Sequence, residues 1–396
     1  MNRLQKHSPE VYFKRQNKAL RDPAEILSGS YETNGLSPNS LQVKTTESFI
    51  ELLERLKITL FVTREYEHLV LALAVKNGAL LQSFIHLPHP SGLVVNRVSR
   101  SLFVATTRNP NQIWELKPAT NYLRRGDRLA DLNFRSYLLP TRVKYLPGAY
   151  YLHDLAILKG RLYGTSVGQN AVVRLDFDKD HSDKIVWWPK CIEDERQKPN
   201  HTANFIQFNS IAAGRTLEES FFSASSSKIS RMRPGHLNYS IDRKGVIFSG
   251  KTREVCATGL TRPHSARFFE NQIWVDNSGY GEVGYVENGR FKPYMRLPGW
   301  TRGLAFVNRI MFVGVSRVLP KFHVYAPGLD AEKENQCGLY AIDLDKGTII
   351  GSVTWPYGNQ IFALDWMRTS MTEGFPFIRL RKSSKKILSV FYSSLV

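Results

Sequence analysis

Apolar and polar residues alternate over short runs between 259 and 315, and tight turns separate the runs. Glu270-Asn271 and Asn288-Gly289 are two of these turns, and a further run begins at Arg302. The apolar runs before that point lie at 266–268, 272–275, 282–287 and 291–297. Four short strands of period two, joined by tight turns and then repeated, predict one blade of a β-propeller.

The start of this unit recurs along the chain as a polar or aromatic residue followed by apolar residues two and four positions later. The recurring starts are Ser91, His153, Asn209, His264, Arg302 and Phe362. A second strand-like run follows each of the first five starts, at 101, 161, 220, 272 and 309. The recurrence predicts consecutive blades built on one plan.

The two ends of the repeat complement each other. Nothing strand-like completes a blade after Phe362, whereas three strand-like runs between 58 and 87 precede the first start. We therefore expect the strand near 361–366 to join the runs near 58–87, which closes the ring and removes two free sheet edges. The predicted fold is all-β, a six-bladed propeller closed by its N- and C-terminal strands, or a seven-bladed one if the connection 117–148 holds another blade.

The termini differ from this pattern. Residues 1–44 are polar and rich in Ser, Asn, Pro and Gly, which predicts a mobile arm. Ser48 and Glu51 fit a capping box for a helix over 48–57 that starts the propeller domain of 45–378. Residues 379–396 form a basic tail that could contact an acidic partner or a membrane surface.

Charge and cysteine content narrow the class of protein. Lys and Arg outnumber Asp and Glu by 54 to 35, which favours an anionic partner, although part of the excess lies in the tails. The three cysteines are far apart and show no CxxC spacing, so a reducing compartment is expected. The N-terminus has no apolar signal region and no run reaches 18 apolar residues, so we expect a cytoplasmic protein. Nucleic acid is not an expected partner.

Propeller geometry gathers the polar starts at one place. The innermost strand of each blade runs along the central channel, so the residue before it should lie at one mouth of that channel. His153, Asn209, His264 and Arg302 would converge there, and His89 could reach inward from two residues before Ser91. The loops after the second strands return to the same mouth and would add Arg108, Asn277 and Arg317.

Several kinds of chemistry are compatible with this ring. His89, His153 and His264, with an amide oxygen or Asp154, could hold a divalent metal ion. His153 and His264, with Asn209, could instead serve as acid–base catalytic groups. Arg302, Arg317 and Arg108, with Asn277, could hold the carboxylate or phosphate of a substrate. A purely structural role, in which these residues only hydrate and tie the channel, is the remaining alternative.

Other sequence motifs exclude common nucleotide and hydrolase sites. The chain has no Gly-x-Ser-x-Gly elbow and no phosphate-binding Lys motif, and Gly279-Tyr280-Gly281 is not followed by a helix pattern. Asp176, Asp178 and Asp180 alternate, but no Gly and distal Glu complete a calcium loop.

Longer motifs carry a family resemblance, which covers roughly 45–378 and is strongest after 255. They are HDLA at 153–156, RPHSAR at 262–267, NSG at 277–279, LPGWTRGLA at 297–305 and GVSR at 314–317. With these motifs the chain resembles a bacterial family of conserved hypothetical propeller proteins, a domain of unknown function. Around Asn209 the sequence departs from the His-Leu-Asn-Gly that is usual in that family. The blades are also distantly similar to those of gluconolactonase and strictosidine-synthase type propellers, some of which bind a metal at the channel mouth.

Two classes of function follow. In the first, the protein is an enzyme, such as a lyase, a lactonase-like hydrolase or an epimerase, that acts on an anionic small molecule or sugar derivative at the channel mouth. In the second, it is a non-enzymatic module that binds a glycan or a protein through the same basic mouth. The fold alone does not choose between them.

Overall fold

The computed structural model describes residues 38–108, 111–119, 136–177, 183–230, 232–236, 238–330, 332–375 and 377–378. The basic tail predicted over 379–396 and most of the arm predicted over 1–44 lie outside these residues. None of the described helices combines the length and the apolar character needed to cross a bilayer.

Almost all of the regular structure within these described residues is strand. One α-helix, α1, covers Glu47–Leu56, and 3₁₀ turns cover Pro38–Leu41, Lys190–Ile192, Ser278–Tyr280 and Pro320–Tyr325. The strands are β1 (Lys44–Thr45), β2 (Ile58–Arg64), β3 (Leu69–Lys76), β4 (Ala79–His86), β5 (Pro90–Asn96), β6 (Ser101–Thr106), β7 (Asn111–Pro118), β8 (Leu138–Leu146), β9 (Leu152–Leu158), β10 (Arg161–Ser166), β11 (Ala171–Leu175), β12 (Lys184–Trp187), β13 (Phe208–Ala212), β14 (Phe221–Ala224), β15 (Gly245–Ser249), β16 (Val255–Leu260), β17 (Pro263–Phe269), β18 (Gln272–Asn277), β19 (Glu282–Glu287), β20 (Arg290–Arg296), β21 (Trp300–Val307), β22 (Ile310–Ser316), β23 (Gly338–Asp343), β24 (Thr348–Thr354), β25 (Leu364–Arg368) and β26 (Phe377–Ile378).

These strands form antiparallel meanders arranged as an all-β propeller with one short helix. The hydrogen-bonded orders are β25-β2-β3-β4-β26, β5-β6-β7-β8, β12-β11-β10-β9, β13-β14-β15-β16-β20-β19-β18-β17 and β1-β24-β23-β22-β21. In the longest sheet, one parallel pairing of Thr258 with Arg290 joins β16 to β20. The propeller predicted from the sequence is therefore confirmed as an architecture.

The repeat unit predicted between 259 and 315 is present as β17 to β20. Its turns have positive φ at both central residues, 48° and 60° at Glu270 and Asn271, and 49° and 71° at Asn288 and Gly289. Two consecutive positive φ values give a turn whose twist matches that of antiparallel strands, and Asn and Gly tolerate them best. The sequence thus encodes the strand breaks through its turn residues.

The predicted closure of the ring is confirmed. Strand β25 pairs antiparallel with β2, with Phe61 opposite Asp365 and Ile58 opposite Arg368. Strand β25 therefore joins the sheet of β2, β3, β4 and β26. The connection 117–148 contributes β8, which pairs with β7 and is the fourth strand of the sheet β5-β6-β7-β8. Residues 120–135 of this connection lie outside the described residues.

Helix α1 begins one residue earlier than predicted and has a different cap. The N-cap is Thr46, whose Oγ1 accepts a hydrogen bond from the backbone N–H of Phe49 at 3.3 Å. Ser48, the predicted cap, instead donates to Oγ1 of Thr46. The capping-box prediction is wrong because Thr45 still pairs with Val353 as strand, so the change to helix falls at Thr46.

The end of the predicted arm belongs to the folded domain. Leu41 is buried in the same apolar cluster as the inner face of α1. Its carbonyl accepts a hydrogen bond from Nε2 of Gln82 at 2.9 Å, and Lys44 pairs with Thr354. One buried leucine and one strand pair therefore hold residues 41–44 against the propeller, in an otherwise polar stretch.

Candidate functional site

Six strands surround the centre of the molecule. Strands β5, β9, β13, β17, β21 and β25 each contact the next one, and β25 contacts β5. Each of them begins within two residues of one of the recurring starts in the sequence. Their first residues therefore meet at one end of a central channel, as the repeat predicts.

A cavity of about 230 Å³ lies at this channel mouth. Its lining is basic and aromatic, with one carboxylate. The lining includes Glu65, Tyr66, Thr107, Tyr151, His153, Gln207, Arg233, Arg262, Trp300, Arg302, Tyr325 and Gln360. A concave site with aromatic walls and a few convergent polar groups is the usual form of a small-molecule site.

Most of the lining residues that come from the six central strands or their entry turns lie two residues upstream of the recurring starts. They are Tyr151, Gln207, Arg262, Trp300 and Gln360. Tyr151, Gln207 and Arg262 have positive φ, at 49°, 50° and 54°. Such a backbone conformation is rare outside glycine, and it turns the chain sharply just before the strand begins. Much of the channel mouth is thus formed by residues two positions earlier in the chain than the sequence predicted.

His153 and Arg302 are predicted residues that do line the cavity. The His153 ring stacks on that of His264 with centroids 6.2 Å apart, and it meets the Phe362 ring edge-on at 5.2 Å. The guanidinium carbon of Arg302 lies 3.6 Å from the centre of the same Phe362 ring. The structure therefore brings His153, His264 and Arg302 together, with His264 behind His153 rather than on the cavity wall.

His264 is held in one protonation state. Its side chain is buried, and Nδ1 lies 2.9 Å from the carbonyl oxygen of Arg262, so Nδ1 carries the proton and donates it. Burial, followed by the charges of Arg302 and Arg262, lowers the pKa of His264 well below its ordinary value. The ring is therefore neutral at pH 7. Within the described residues its buried Nε2 has no hydrogen-bond partner.

Arg262 and Arg302 are cationic groups buried in the cavity wall. Arg262 donates through Nη1 to Oε1 of Gln207 and lies 4.6 Å over the Tyr325 ring. Arg302 donates through Nη1 to Oε1 of Gln360 at 3.4 Å. Neither forms an ion pair with any residue that the structure describes, and the buried Nε of each has no partner there. Burial lowers the pKa of Arg262 to about 9 and that of Arg302 to about 10, so both stay charged at pH 7.

The single carboxylate of the lining is already engaged. Oε1 of Glu65 lies 3.4 Å from Nη2 of Arg108 and accepts a hydrogen bond from Oγ1 of Thr107 at 2.8 Å. Arg108 also donates through Nε to Nδ1 of His89 at 3.3 Å. Arg108, predicted to hold substrate, is thus placed behind Glu65 and outside the lining, where it compensates the Glu65 charge.

Other predicted residues have structural partners. Nδ2 of Asn209 donates to the carbonyl of Pro263 at 2.8 Å, which ties β13 to β17. Asn277 accepts from the N–H of Thr261 at 2.7 Å and donates to Glu282 at 2.8 Å. These residues are buried and do not line the cavity. Their observed contacts join neighbouring strands and turns, as the purely structural role would have it.

Arg317 and Asp154 also have partners away from the cavity. The Arg317 guanidinium donates through Nη2 to the carbonyl of Pro356. Asp154 forms a bidentate ion pair with Arg267, with distances of 2.7 and 3.2 Å. Neither Arg317 nor Asp154 lines the cavity.

The predicted three-histidine metal set is not brought together. The His89 ring packs 4.2 Å from that of His68, measured between centroids, while His153 and His264 stack on each other. In the part of the chain that the structure describes, no group of three or more His, Cys, Asp or Glu side chains is arranged to hold a metal ion. We therefore derive no step through a metal.

Sequence reasoning missed Arg262, Gln207, Trp300 and Gln360, although a signal for them existed. They recur at one position of the repeat, two residues before the starts that were aligned. Arg233 has no such signal, since it lies in the connection between β14 and β15.

Solved structures with a related fold have low sequence identity to this chain. The nidogen/laminin complex includes a chain with a TM-score of 0.50 and 9% identity, covering 78% of this chain and 98% of that chain. A gluconolactonase from Xanthomonas campestris has a TM-score of 0.41 and 13% identity over 68% of this chain and 77% of its own. Virginiamycin B lyase from Staphylococcus aureus has a TM-score of 0.36 and 14% identity over 62% and 70%. The match with a TM-score of 0.50 shows a related fold alone, and no activity is transferred from any of the three.

Sequence comparison defines the family. No curated protein matches the chain. One family model, described as a domain of unknown function (DUF4915), matches residues 47–373, which include every ring strand and all of the cavity lining. The chain therefore belongs to the DUF4915 family of propeller proteins.

Proposed function

We propose that the protein binds an anionic small molecule, a carbohydrate derivative, in the cavity at the channel mouth. The observation that carries this proposal is the environment of Arg262 and Arg302. Amide oxygens and aromatic faces hold both guanidiniums, and no described carboxylate pairs with either. A buried cation without a counter-ion is unfavourable, so an anion that enters the cavity supplies the missing interaction.

Stacking explains how the site keeps its charge. A guanidinium that lies over an aromatic ring is fixed in orientation while the N–H groups at its edge stay available for a carboxylate or phosphate. Arg302 over Phe362, at 3.6 Å, and Arg262 over Tyr325, at 4.6 Å, have this arrangement. Ion pairs would have fixed the side chains equally well but would have neutralised them.

The size and the aromatic walls favour a sugar ring. Trp300, Tyr66 and Tyr151 line the cavity, and flat apolar faces suit the C–H face of a pyranose. The cavity volume of about 230 Å³ lies below the roughly 300–1,000 Å³ of pockets that enclose drug-sized ligands. A monosaccharide acid or ester is therefore a better match than a longer glycan.

Calorimetric titration of the full-length protein tests this function. D-Glucuronate should bind and D-glucose should not, because only the former has a carboxylate for Arg262 and Arg302. Arg302→Gln should weaken glucuronate binding, while Arg309→Gln, a change of an exposed arginine paired with Glu270 and Asp345, should not. Equal binding of glucose, or an unchanged affinity in Arg302→Gln, would refute the proposal.

A second candidate function is catalysis by proton transfer in the same cavity. His153 lines the cavity beside Arg302, and the neutral ring of His264 stacks behind it. An imidazole next to a bound carboxylate could remove the proton from the adjacent carbon, the first step of an epimerase or lyase reaction. The Arg262–Arg302 pair would stabilise the negative charge that develops on the carboxylate.

Hydrogen exchange distinguishes the enzyme from the binding module. In D₂O, the enzyme should replace the hydrogen on the carbon next to the glucuronate carboxylate with deuterium, observed by NMR. His153→Ala should abolish this exchange and keep most of the binding. If the wild-type protein binds glucuronate and shows no exchange, the binding function stands and this second candidate fails.

The sheets are best counted as six blades, with the eight-stranded sheet divided into β13–β16 and β17–β20 at its single parallel pairing. A ring of side-chain bonds to neighbouring backbone carbonyls supports this division. The successive pairs are Thr63 to Ser91, Ser91 to Leu152, Thr165 to Asn209, Asn209 to Pro263, Ser278 to Thr301 and Ser316 to Ile361. Each bond joins one proposed blade to the next, and the last returns to the first.

We also propose that the protein works in a reducing compartment, the cytoplasm. Cys191, Cys256 and Cys337 are free thiols. Burial raises the pKa of Cys337 and of Cys191 to about 12 and that of Cys256 to about 11, which keeps them protonated and slow to oxidise. Contact of the basic tail over 379–396 with an acidic partner or membrane surface remains a sequence-based prediction.

A further inference from the structure

Arg233 adds a third cation to the same cavity. It lies in the connection between β14 and β15, whereas Arg262 and Arg302 lie at the central strands β17 and β21. Arg233 lies close enough to Arg262 that its charge contributes to lowering the pKa of Arg262. Like charges this close repel each other, so their convergence is unfavourable unless something negative lies between them.

The cavity lacks the negative charge to balance these three cations. Glu65 is the single acidic residue of its lining, and Arg108 already pairs with it at 3.4 Å. No ion pair joins Arg233, Arg262 or Arg302 to an acidic residue anywhere in the described ranges. With Arg108 and Glu65 cancelling, three positive charges face the cavity.

We propose that the natural ligand carries two negative charges, and that Arg233 is the residue that recognises the second one. This inference rests on the proposed function and narrows its ligand class. The shared chemistry is that of a dianion of monosaccharide size, as found in a phosphate monoester or in a dicarboxylic sugar acid. Arg262 and Arg302, at the central strands β17 and β21, hold the first charge. Arg233, in the connection between β14 and β15, holds the second.

Two pairs of ligands, each a dianion and a monoanion, test this inference by calorimetry at pH 7.5. D-Glucose 6-phosphate is a dianion and D-glucose 6-sulfate is a close monoanionic analogue. D-Glucarate carries two carboxylates and D-glucuronate carries one. We expect the dianion of at least one pair to bind roughly tenfold more tightly or better, because the second charge gains a charge-assisted contact of its own. Which pair shows the preference identifies phosphate ester or dicarboxylate.

Arg233→Gln isolates the role of the loop. Its guanidinium forms no described ion pair, so the variant should fold, as a wild-type melting temperature would show. We expect the dianion preference to shrink to about twofold while the affinity for the monoanion changes little, because only the second charge loses its partner. Arg215→Gln, which alters an exposed arginine paired with Glu219, should leave both affinities unchanged.

The possible outcomes distinguish a failure of this inference from a failure of the proposed anion-binding function. If monoanions bind as tightly as dianions in both pairs, the dianion inference is wrong and the anion-binding function stands. If Arg233→Gln weakens both members of the preferred pair equally, Arg233 does not read the second charge. If none of the four ligands binds, the proposed function and this inference both fail.

Discussion

The guanidinium of Arg302 lies over the ring of Phe362, with its central carbon 3.6 Å from the ring centre. The two residues occupy equivalent positions of neighbouring repeats, and the second also meets His153 edge-on. An aromatic ring thus packs against one side of a cation that lines the cavity. This relationship links the repeat architecture to the proposed anion site.

Replacing Arg302 should separate charge from geometry. Arg302→Gln is expected to lower the affinity for glucuronate about tenfold to hundredfold, since one charge-assisted hydrogen bond contributes about 1.5–3 kcal/mol. Arg302→Lys keeps the charge and loses the planar fork, so its affinity should fall between those of the wild type and Arg302→Gln. Calorimetry measures all three. A lysine variant as weak as the glutamine variant would show that bidentate geometry, rather than charge, dominates.

Removing the ring beneath Arg302 should act indirectly. Phe362→Leu keeps an apolar side chain but removes the face that orients the guanidinium, so glucuronate affinity should fall by roughly three- to tenfold. Phe312→Leu, a buried phenylalanine that packs on Phe49 away from the cavity, is the matched control for lost core packing. Both variants should melt at lower temperature, but only Phe362→Leu should lose affinity. Equal affinities in the two variants would contradict a role for the ring in the site.

His264 should make the protein less stable in mild acid. Its pKa is lowered in the folded state, mainly by burial, so the unfolded chain binds a proton more readily. Its contribution to stability is therefore complete above the unfolded value of about 6.5 and is lost as the pH falls below it. Urea unfolding between pH 5 and 8 should show a slope up to about 1.4 kcal/mol per pH unit steeper for the wild type than for His264→Gln. Parallel slopes would mean that His264 is not buried as a neutral ring.

The Asp154–Arg267 pair should matter for stability and not for binding. Asp154 is buried, pairs with Arg267 through both oxygens and accepts the N–H of Ile211 at 3.0 Å. Asp154→Asn leaves the guanidinium without its counter-ion and should cost about 3 kcal/mol, measured by urea unfolding. Glucuronate affinity of the folded variant should stay at the wild-type value because neither residue lines the cavity. A loss of glucuronate affinity with unchanged stability would contradict this assignment and show that Asp154 takes part in ligand binding.

The fold was predictable because its determinants are local and repeated. Alternating strands and turns such as Asn288-Gly289 identify a blade without any long-range information, and the incomplete ends of the repeat imply the pairing of β25 with β2. The cap of α1 was predicted incorrectly because the pairing of Thr45 with Val353, which fixes where the helix starts, joins distant parts of the chain.

The site was predictable only in part. Aligning the repeat correctly gathered His153, His264 and Arg302, but the sharp turn at residues such as Arg262 moves the mouth two positions upstream, and backbone dihedrals are not visible in a sequence. Arg108 and Asn209 have the same side-chain chemistry as site residues. Only their partners, Glu65 and the carbonyl of Pro263, show that they are committed elsewhere. Arg233 belongs to no repeat, so only the folded chain reveals its position.

A crystal structure of the protein with glucuronate tests the central claim most directly. The account predicts that the carboxylate lies within hydrogen-bond distance of the guanidiniums of Arg262 and Arg302, with the sugar ring against the aromatic wall near Trp300. A glucuronate bound elsewhere on the propeller, or in the cavity with its carboxylate directed away from both arginines, would contradict it.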